Sequence, residues 1–166
     1  MRRSWLALAS GLFAALAQAQ LMPADPEWRE VEAPPPPAVT LEGLIPIEIP
    51  RSALRFGVDP ASITLDADGI VRYVVVASST TGAVNAMYEG MRCSTGELKV
   101  YARYNPGSGW VISRDPLWKS LQDAQYRHSL VIARSGACVG HAANRSPTQI
   151  ARDLRSPVDS RFERTH

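Results

Sequence analysis

Cys93 and Cys138 are the two thiols of the 166-residue sequence, and they carry its clearest chemistry. An isolated cysteine pair in an exported domain is expected to join, because oxidising compartments favour the disulfide. Closing a loop of about 45 residues stabilises a fold by about 4 kcal/mol in the chain-entropy account. Redox chemistry has no support, since there is no Cys-x-x-Cys spacing. Glu89 is the acid that invites a second reading. Strand alternation puts it on one face with Asn85, Met87, Met91 and Cys93, and a carboxylate buried there needs a partner. It is either a functional acid or a structural partner of an arginine. Arg72 on the neighbouring strand is the arginine in reach, since Arg92 should point to the opposite face.

His128, His141 and His166 lack the close spacing of a metal-binding pair. A metal site from His128, His141 and Glu89 is geometrically open but has no motif behind it, and neither a metal nor a cofactor is expected. No serine lies in a Gly-x-Ser-x-Gly or Ser-x-x-Lys setting. Asp66-Ala67-Asp68-Gly69 resembles the start of a calcium loop, but Val75 falls where such a loop requires glutamate. Aromatic and cationic residues interleave instead: Tyr73, Tyr88, Tyr101, Tyr104 and Trp110 alternate with Arg72, Arg92 and Arg103. Such rows either fill a core or stack against a peptide or glycan. Arg72, Tyr88, Glu89, Arg92 and Tyr101 form the candidate binding surface.

The leader and the charge say where this chemistry takes place. Arg2 and Arg3 precede an apolar stretch from Trp5 to Ala17, too short to span a bilayer core of about 30 Å. Ala17-Gln18-Ala19 is a small-x-small cleavage signal, so residues 1–19 read as a signal peptide cut between Ala19 and Gln20. The expected destination is the periplasm, with no integral membrane segment left after cleavage. Removal of the two leader arginines turns a net charge of +2 into a neutral chain. A neutral exported chain is a poor nucleic-acid binder. The expected partners are an envelope protein, a peptide or a glycan.

The positioning elements follow from local pattern. Residues 20–40, with Pro23, Pro26 and the Pro34–Pro37 run, read as a disordered, proline-rich tether. Trp28 within it is either docked on the domain or an anchor for a partner. Residues 41–156 read as a single globular α+β domain and 157–166 as a flexible tail. Leu44 to Pro50 carries two prolines and suits only an edge strand. Gly69–Ser78, Val84–Cys93, Leu98–Tyr104 and Trp110–Ser113 read as strands joined by short turns, hence an antiparallel meander of four to five strands. Alternation puts Leu98, Val100, Ala102 and Tyr104 on one face. Two or three C-terminal helices should pack on one face of the sheet: one capped by Asp115 with Pro116, burying Leu117, Trp118 and Leu121; one over 128–135, where a strand is also open, stopped by Gly136; and one capped by Ser146 with Gln149, burying Ile150 and Leu154.

Several of these segments are familiar together. Asp68-Gly69-Ile70-Val71-Arg72-Tyr73, Ser79 with Gly82-Ala83-Val84-Asn85, Tyr88-Glu89-Gly90-Met91-Arg92-Cys93 and Lys99-Val100-Tyr101-Ala102 resemble the cryptic neisserial protein 1-like family of small exported bacterial proteins. Trp110, Trp118 and Cys138 fall where the later part of that pattern puts them. The resemblance spans roughly residues 27–155. It implies an exported single domain and brings no catalytic residue with it. The function expected from all of this is a non-catalytic binding or cell-envelope accessory module. The alternative is a small hydrolase, using Glu89 with Arg92 or His128, or a small-ligand carrier with a pocket around Glu89.

Overall fold

The computed structural model describes residues 27–156. The leader, the cleavage point at Ala19 and Gln20, residues 20–26 and the tail from 157 lie outside the described residues. An antiparallel sheet forms the centre. Its strands are β1 (Ile45–Ile47), β2 (Arg55–Val58), β3 (Thr64–Leu65), β4 (Ile70–Ser78), β5 (Val84–Arg92), β6 (Glu97–Asn105), β7 (Gly109–Ile112) and β8 (Lys119–Ser120). The order is β1-β2-β4-β5-β6-β7, with β3 also on β4 and β8 also on β6. β2 and β3 thus lie end to end along one side of β4, pairing with its two halves, as β7 and β8 do along β6.

The α+β class and the meander agree with the sequence reading. The sheet has eight strands rather than four to five. The additional ones are two to four residues long, and a run that short leaves no readable period. The proline-bearing β1 takes the edge, where a missing N–H is harmless.

Two helices follow the sheet. Residues 127–132 form α1, and 147–155 form α2. The ambiguous stretch after His128 is therefore helical. It widens into a looser turn over Ala133–Ala137 and stops at Gly136, whose φ of 154° other residues rarely adopt. A Cβ at Gly136 would also lie 2.7 Å from Cβ of Asp153, so glycine lets α2 approach closely. Ser146 caps α2 by accepting from the Gln149 N–H, and Ile150 and Leu154 are buried. Asn144 ties the two helical parts together, donating to the Gly136 carbonyl at 2.7 Å and to Asp153 at 2.8 Å. A small hairpin of β9 (Cys138–Val139) and β10 (Ala142–Ala143) connects them.

The helix expected at Asp115 does not form. Residues 113–118 are irregular, and Lys119 and Ser120 pair with Leu98 and Glu97. Sheet pairing and the contacts of Trp118 override a local propensity supported by only one turn of apolar residues.

Both faces of the sheet are covered. On one, Val71, Tyr73, Val75, Met91 and Leu98 pack with Ile132, Ala137, Ile150 and Leu154 of the helical layer. On the other, Val74, Val76, Ala86, Tyr88, Tyr101 and Ala102 pack with Ala33 and Val39. Those last residues belong to the segment expected to be a disordered tether. Within the described residues, 27–40 instead form an extended arm laid along the sheet. Its backbone joins no strand ladder. Side-chain and main-chain hydrogen bonds from the sheet hold it, a signal that proline content cannot reveal.

Cys93, at the end of β5, is bonded to Cys138 at the start of β9, with Cα atoms 5.7 Å apart. The bond fastens the helical layer to the sheet. Reducing it, or replacing both residues in Cys93→Ser/Cys138→Ser, should cost about 4 kcal/mol. The check is the unfolding free energy from urea titration with and without reductant, with a steeper slope once the denatured chain is freed.

Candidate functional site

Two buried polar clusters lie on opposite faces of the sheet. The first is built around Glu89 in the middle of β5, on the helical face. Its side chain is 0% exposed. Oε2 accepts from the hydroxyls of Tyr73 and Ser129, both at 2.9 Å. Oε1 meets His128 Nε2 at 2.9 Å. Tyr73 is its direct neighbour on β4, and His128 and Ser129 come from the first turn of α1. The His128 ring stacks on Phe56 of β2, with centroids 5.0 Å apart and planes 4° from parallel.

This answers the two readings of Glu89. It is buried, and its partners are a tyrosine, a serine and a histidine rather than Arg72 or Arg92. Both arginines occupy alternate positions of their strands and so project to the other face. Serine, histidine and carboxylate stand within hydrogen-bond reach, but both hydroxyl and imidazole point at the carboxylate. In a nucleophile relay the histidine would stand between the other two. A depression lined by Leu98, Val100, Arg103, Ser113, Leu117, Lys119 and Tyr126 lies nearby. It does not include Glu89, and its volume of about 130 Å³ is well below the roughly 300–1,000 Å³ of ordinary ligand pockets. His141 is exposed on the β9–β10 turn, away from this cluster. His166 is outside the described residues. No group of three or more metal-ligating side chains occurs among the described residues.

The second cluster lies under the arm. Arg72 of β4 is 0% exposed. It donates to Asp66 at 2.7 Å, to Asp68 at 2.7 Å and to the Val31 carbonyl at 2.9 Å. The two aspartates that imitate a calcium loop thus serve a guanidinium. Asp68 in turn accepts from the Val31 N–H at 2.9 Å, and its carbonyl accepts from the Trp28 indole at 2.9 Å. Glu30 pairs with Lys99 and accepts from the Tyr101 hydroxyl at 2.7 Å. The Arg92 guanidinium lies 3.6 Å from the centre of the Trp28 ring, and Trp118 meets that ring edge-on at 6.1 Å. Further along, Trp110 donates to the Pro37 carbonyl at 2.8 Å.

A bulge makes this arrangement possible. Tyr88 pairs with Ala102 while Glu89 pairs with Val100, so Tyr101 is an extra residue in β6. Strict alternation would have placed Leu98, Val100, Ala102 and Tyr104 together. Instead Leu98 and Val100 face the helices, whereas Tyr101, Ala102 and Tyr104 face the arm. Gly90 leaves room for the displaced ring, since a Cβ there would sit 2.6 Å from Tyr101 atoms. Four of the five residues proposed from sequence, Arg72, Tyr88, Arg92 and Tyr101, therefore share one face, and Glu89 lies behind it. They do not form an open surface: Arg72, Tyr88 and Tyr101 are buried, and the arm covers them. Sequence reasoning missed Glu30, Lys99, Asp66 and Asp68. Their charge was visible, but only the bulge and the arm bring them together.

Electrostatics supports tight association. Burial alone would lower the Arg72 pKa, but hydrogen bonds and charge from Asp68, with Tyr101, outweigh it and hold the guanidinium above its usual range. Burial likewise works to raise the Asp68 pKa. Hydrogen bonds from Arg72 and the Ile70 and Val31 N–H groups prevail and bring it below 3.8. Tyr73 is raised well above 10.0 by burial and by the Glu89 charge. Tyr101 is raised by burial and its bond to Glu30. Three buried side-chain atoms stay unmatched among the described residues: Arg72 Nε, Arg92 Nε and the Thr64 hydroxyl. Each unmatched group costs about 1–3 kcal/mol.

The chain matches the CNP1-like family over residues 23–155, which takes in the arm, the sheet and both helices. It belongs to that family. No curated protein and no solved structure gives a significant match.

Two outcomes follow. Glu89→Ala strands three buried hydrogen-bonding groups and should destabilise the fold by about 3–5 kcal/mol, with Glu89→Gln milder because it retains an acceptor. Urea titration measures both. Stability should also fall at both pH extremes. Raised Tyr73 and Tyr101 contribute stability that is complete below pH 10.0 and lost as pH climbs above it. The lowered Asp68 contributes above 3.8 and is lost as pH falls through its folded value. Urea midpoints across pH test this, and Tyr73→Phe should flatten the alkaline limb.

Proposed function

We propose that the protein is exported to the periplasm through the leader at residues 1–19 and serves there as a non-catalytic binding module of the cell envelope. The binding surface is the sheet face carrying Arg72, Tyr88, Arg92, Lys99 and Tyr101, which the arm covers and which opens when the arm is displaced. The observation that carries this reading is the division of labour between the two clusters. Glu89, the residue best suited to acid–base chemistry, is sealed in with all its contacts inside the protein. The opposite face already grips an extended peptide, the chain's own arm, by side chain and backbone.

The Cys93–Cys138 bond supports an oxidising destination. Burial of Glu89 weighs against a hydrolase or a small-ligand carrier, each of which needs an opening to that carboxylate. In the described residues no helix is long and apolar enough to cross a membrane. Envelope proteins and their peptides are the partners that suit this surface best.

The test is site-specific photo-crosslinking in the native cell, with the reactive residue at exposed Leu117 beside Trp118. Discrete adducts in the envelope fraction are expected with the unmodified face. They should be lost with Lys99→Glu and retained with Glu89→Gln. Adducts indifferent to Lys99→Glu, or none at all, would overturn the reading.

A further inference from the structure

The arm shows what chemistry its site reads. Trp28 and Glu30 point into the sheet and are partly buried, while Arg29 and Val31 alternate outward and are exposed. Trp28 is read three ways: its ring face by Arg92, its edge by Trp118, and its indole N–H by the Asp68 carbonyl. Glu30 is read as a carboxylate by Lys99 and Tyr101. Val31 is read only through its backbone, its N–H by Asp68 and its carbonyl by Arg72. The site therefore specifies an aromatic residue, any residue, an acid, and then a main-chain amide and carbonyl in extended form.

The arm satisfies this site incompletely. Arg72 Nε and Arg92 Nε keep no acceptor while the arm is in place. Both belong to guanidinium groups that contact the arm, and with Lys99 they make this face cationic, so an acidic strand is the one that suits its charge. The attachment is also noncovalent along its length and uses no ladder of backbone bonds. It is held by tethering, which raises its effective concentration, by polar and ring contacts of Trp28, Glu30 and Val31, and by apolar packing of Ala33 and Val39.

Resting on the binding-module reading, we propose that the arm is a self-ligand, and that the site's ligand is an extended acidic peptide of another protein. That peptide carries an aromatic residue two positions before an acidic one and displaces residues 28–31.

The test uses the full mature chain and a synthetic peptide with the sequence of residues 26–40 as the probe. In W28A/E30Q the arm loses its two anchors. The peptide should bind this variant at least about tenfold more tightly than the unmodified chain, where the tethered arm competes. Adding Lys99→Ala to the variant should weaken binding about tenfold, as should a peptide in which the residue equivalent to Glu30 is glutamine. If W28A/E30Q fails to keep its urea midpoint, Glu30→Gln alone should give the same ordering. No binding to a folded, arm-weakened chain would overturn the proposal. So would equal binding by a peptide with lysine in place of that glutamate, or a dimer of the unmodified chain with its arms exchanged. Envelope adducts at Leu117 together with a failed peptide titration would remove this ligand class alone. Loss of both would remove the binding module as well.

Discussion

From Ile70 to Ala77, β4 has no side chain left for water. A strand buried on both sides needs two covers, and this constraint organises the molecule. Valines at 71 and 75 face the helical layer, and those at 74 and 76 face the arm. Each fully buried valine contributes about 1.5–3 kcal/mol relative to exposure. Two neighbouring polar residues in the same strand are carried inside with them. Tyr73 goes to the helical side and Arg72 to the arm side, and neither can be buried without partners. The two polar clusters are the answers to those two demands.

The answers differ in character. Around Glu89 the partners come from β4 and from α1, and each finds its match within the cluster. Such a network fixes the seating of the first helix on the sheet. Around Arg72 the partners are carboxylates from the preceding turn and the backbone of a segment far away in sequence. Here two guanidinium nitrogens lack an acceptor, and the covering element is held by hydrogen bonds, an ion pair and ring contacts spread along its length. A completed polar network thus stands back to back with a partly matched one, separated by a single sheet. The disulfide sits on the helical side.

Much of the frame was readable from the amino acids. The long strands β4, β5 and β6 announced themselves by β-branched and aromatic runs bounded by Asp-Gly, Thr-Gly and Ser-Thr-Gly turns. Ser146, Pro147 and Gln149 marked the start of α2, and the two cysteines marked each other. The short strands were hidden because two to four residues cannot express a period. The helix expected after Asp115 lost to pairing between Lys119 and Leu98. The site was half legible. Composition groups Arg72, Arg92 and Tyr101, but strict alternation through β6 carries no sign of the extra residue at Tyr101. Glu30 sits in a stretch whose prolines argue for solvent, and its partners Lys99 and Tyr101 lie 69 and 71 residues downstream.

Those separations have a temporal meaning. Pro37 waits for Trp110, 73 residues downstream, and Glu30 waits for Tyr101, 71 residues downstream. Synthesis therefore delivers the arm well before the surface that receives it. During that interval its tryptophan and glutamate have no seat. Closure of the arm needs the chain as far as Trp118, so a seated Trp28 reports that the turn before β4, the end of β5 and the segment ahead of β8 have already come together.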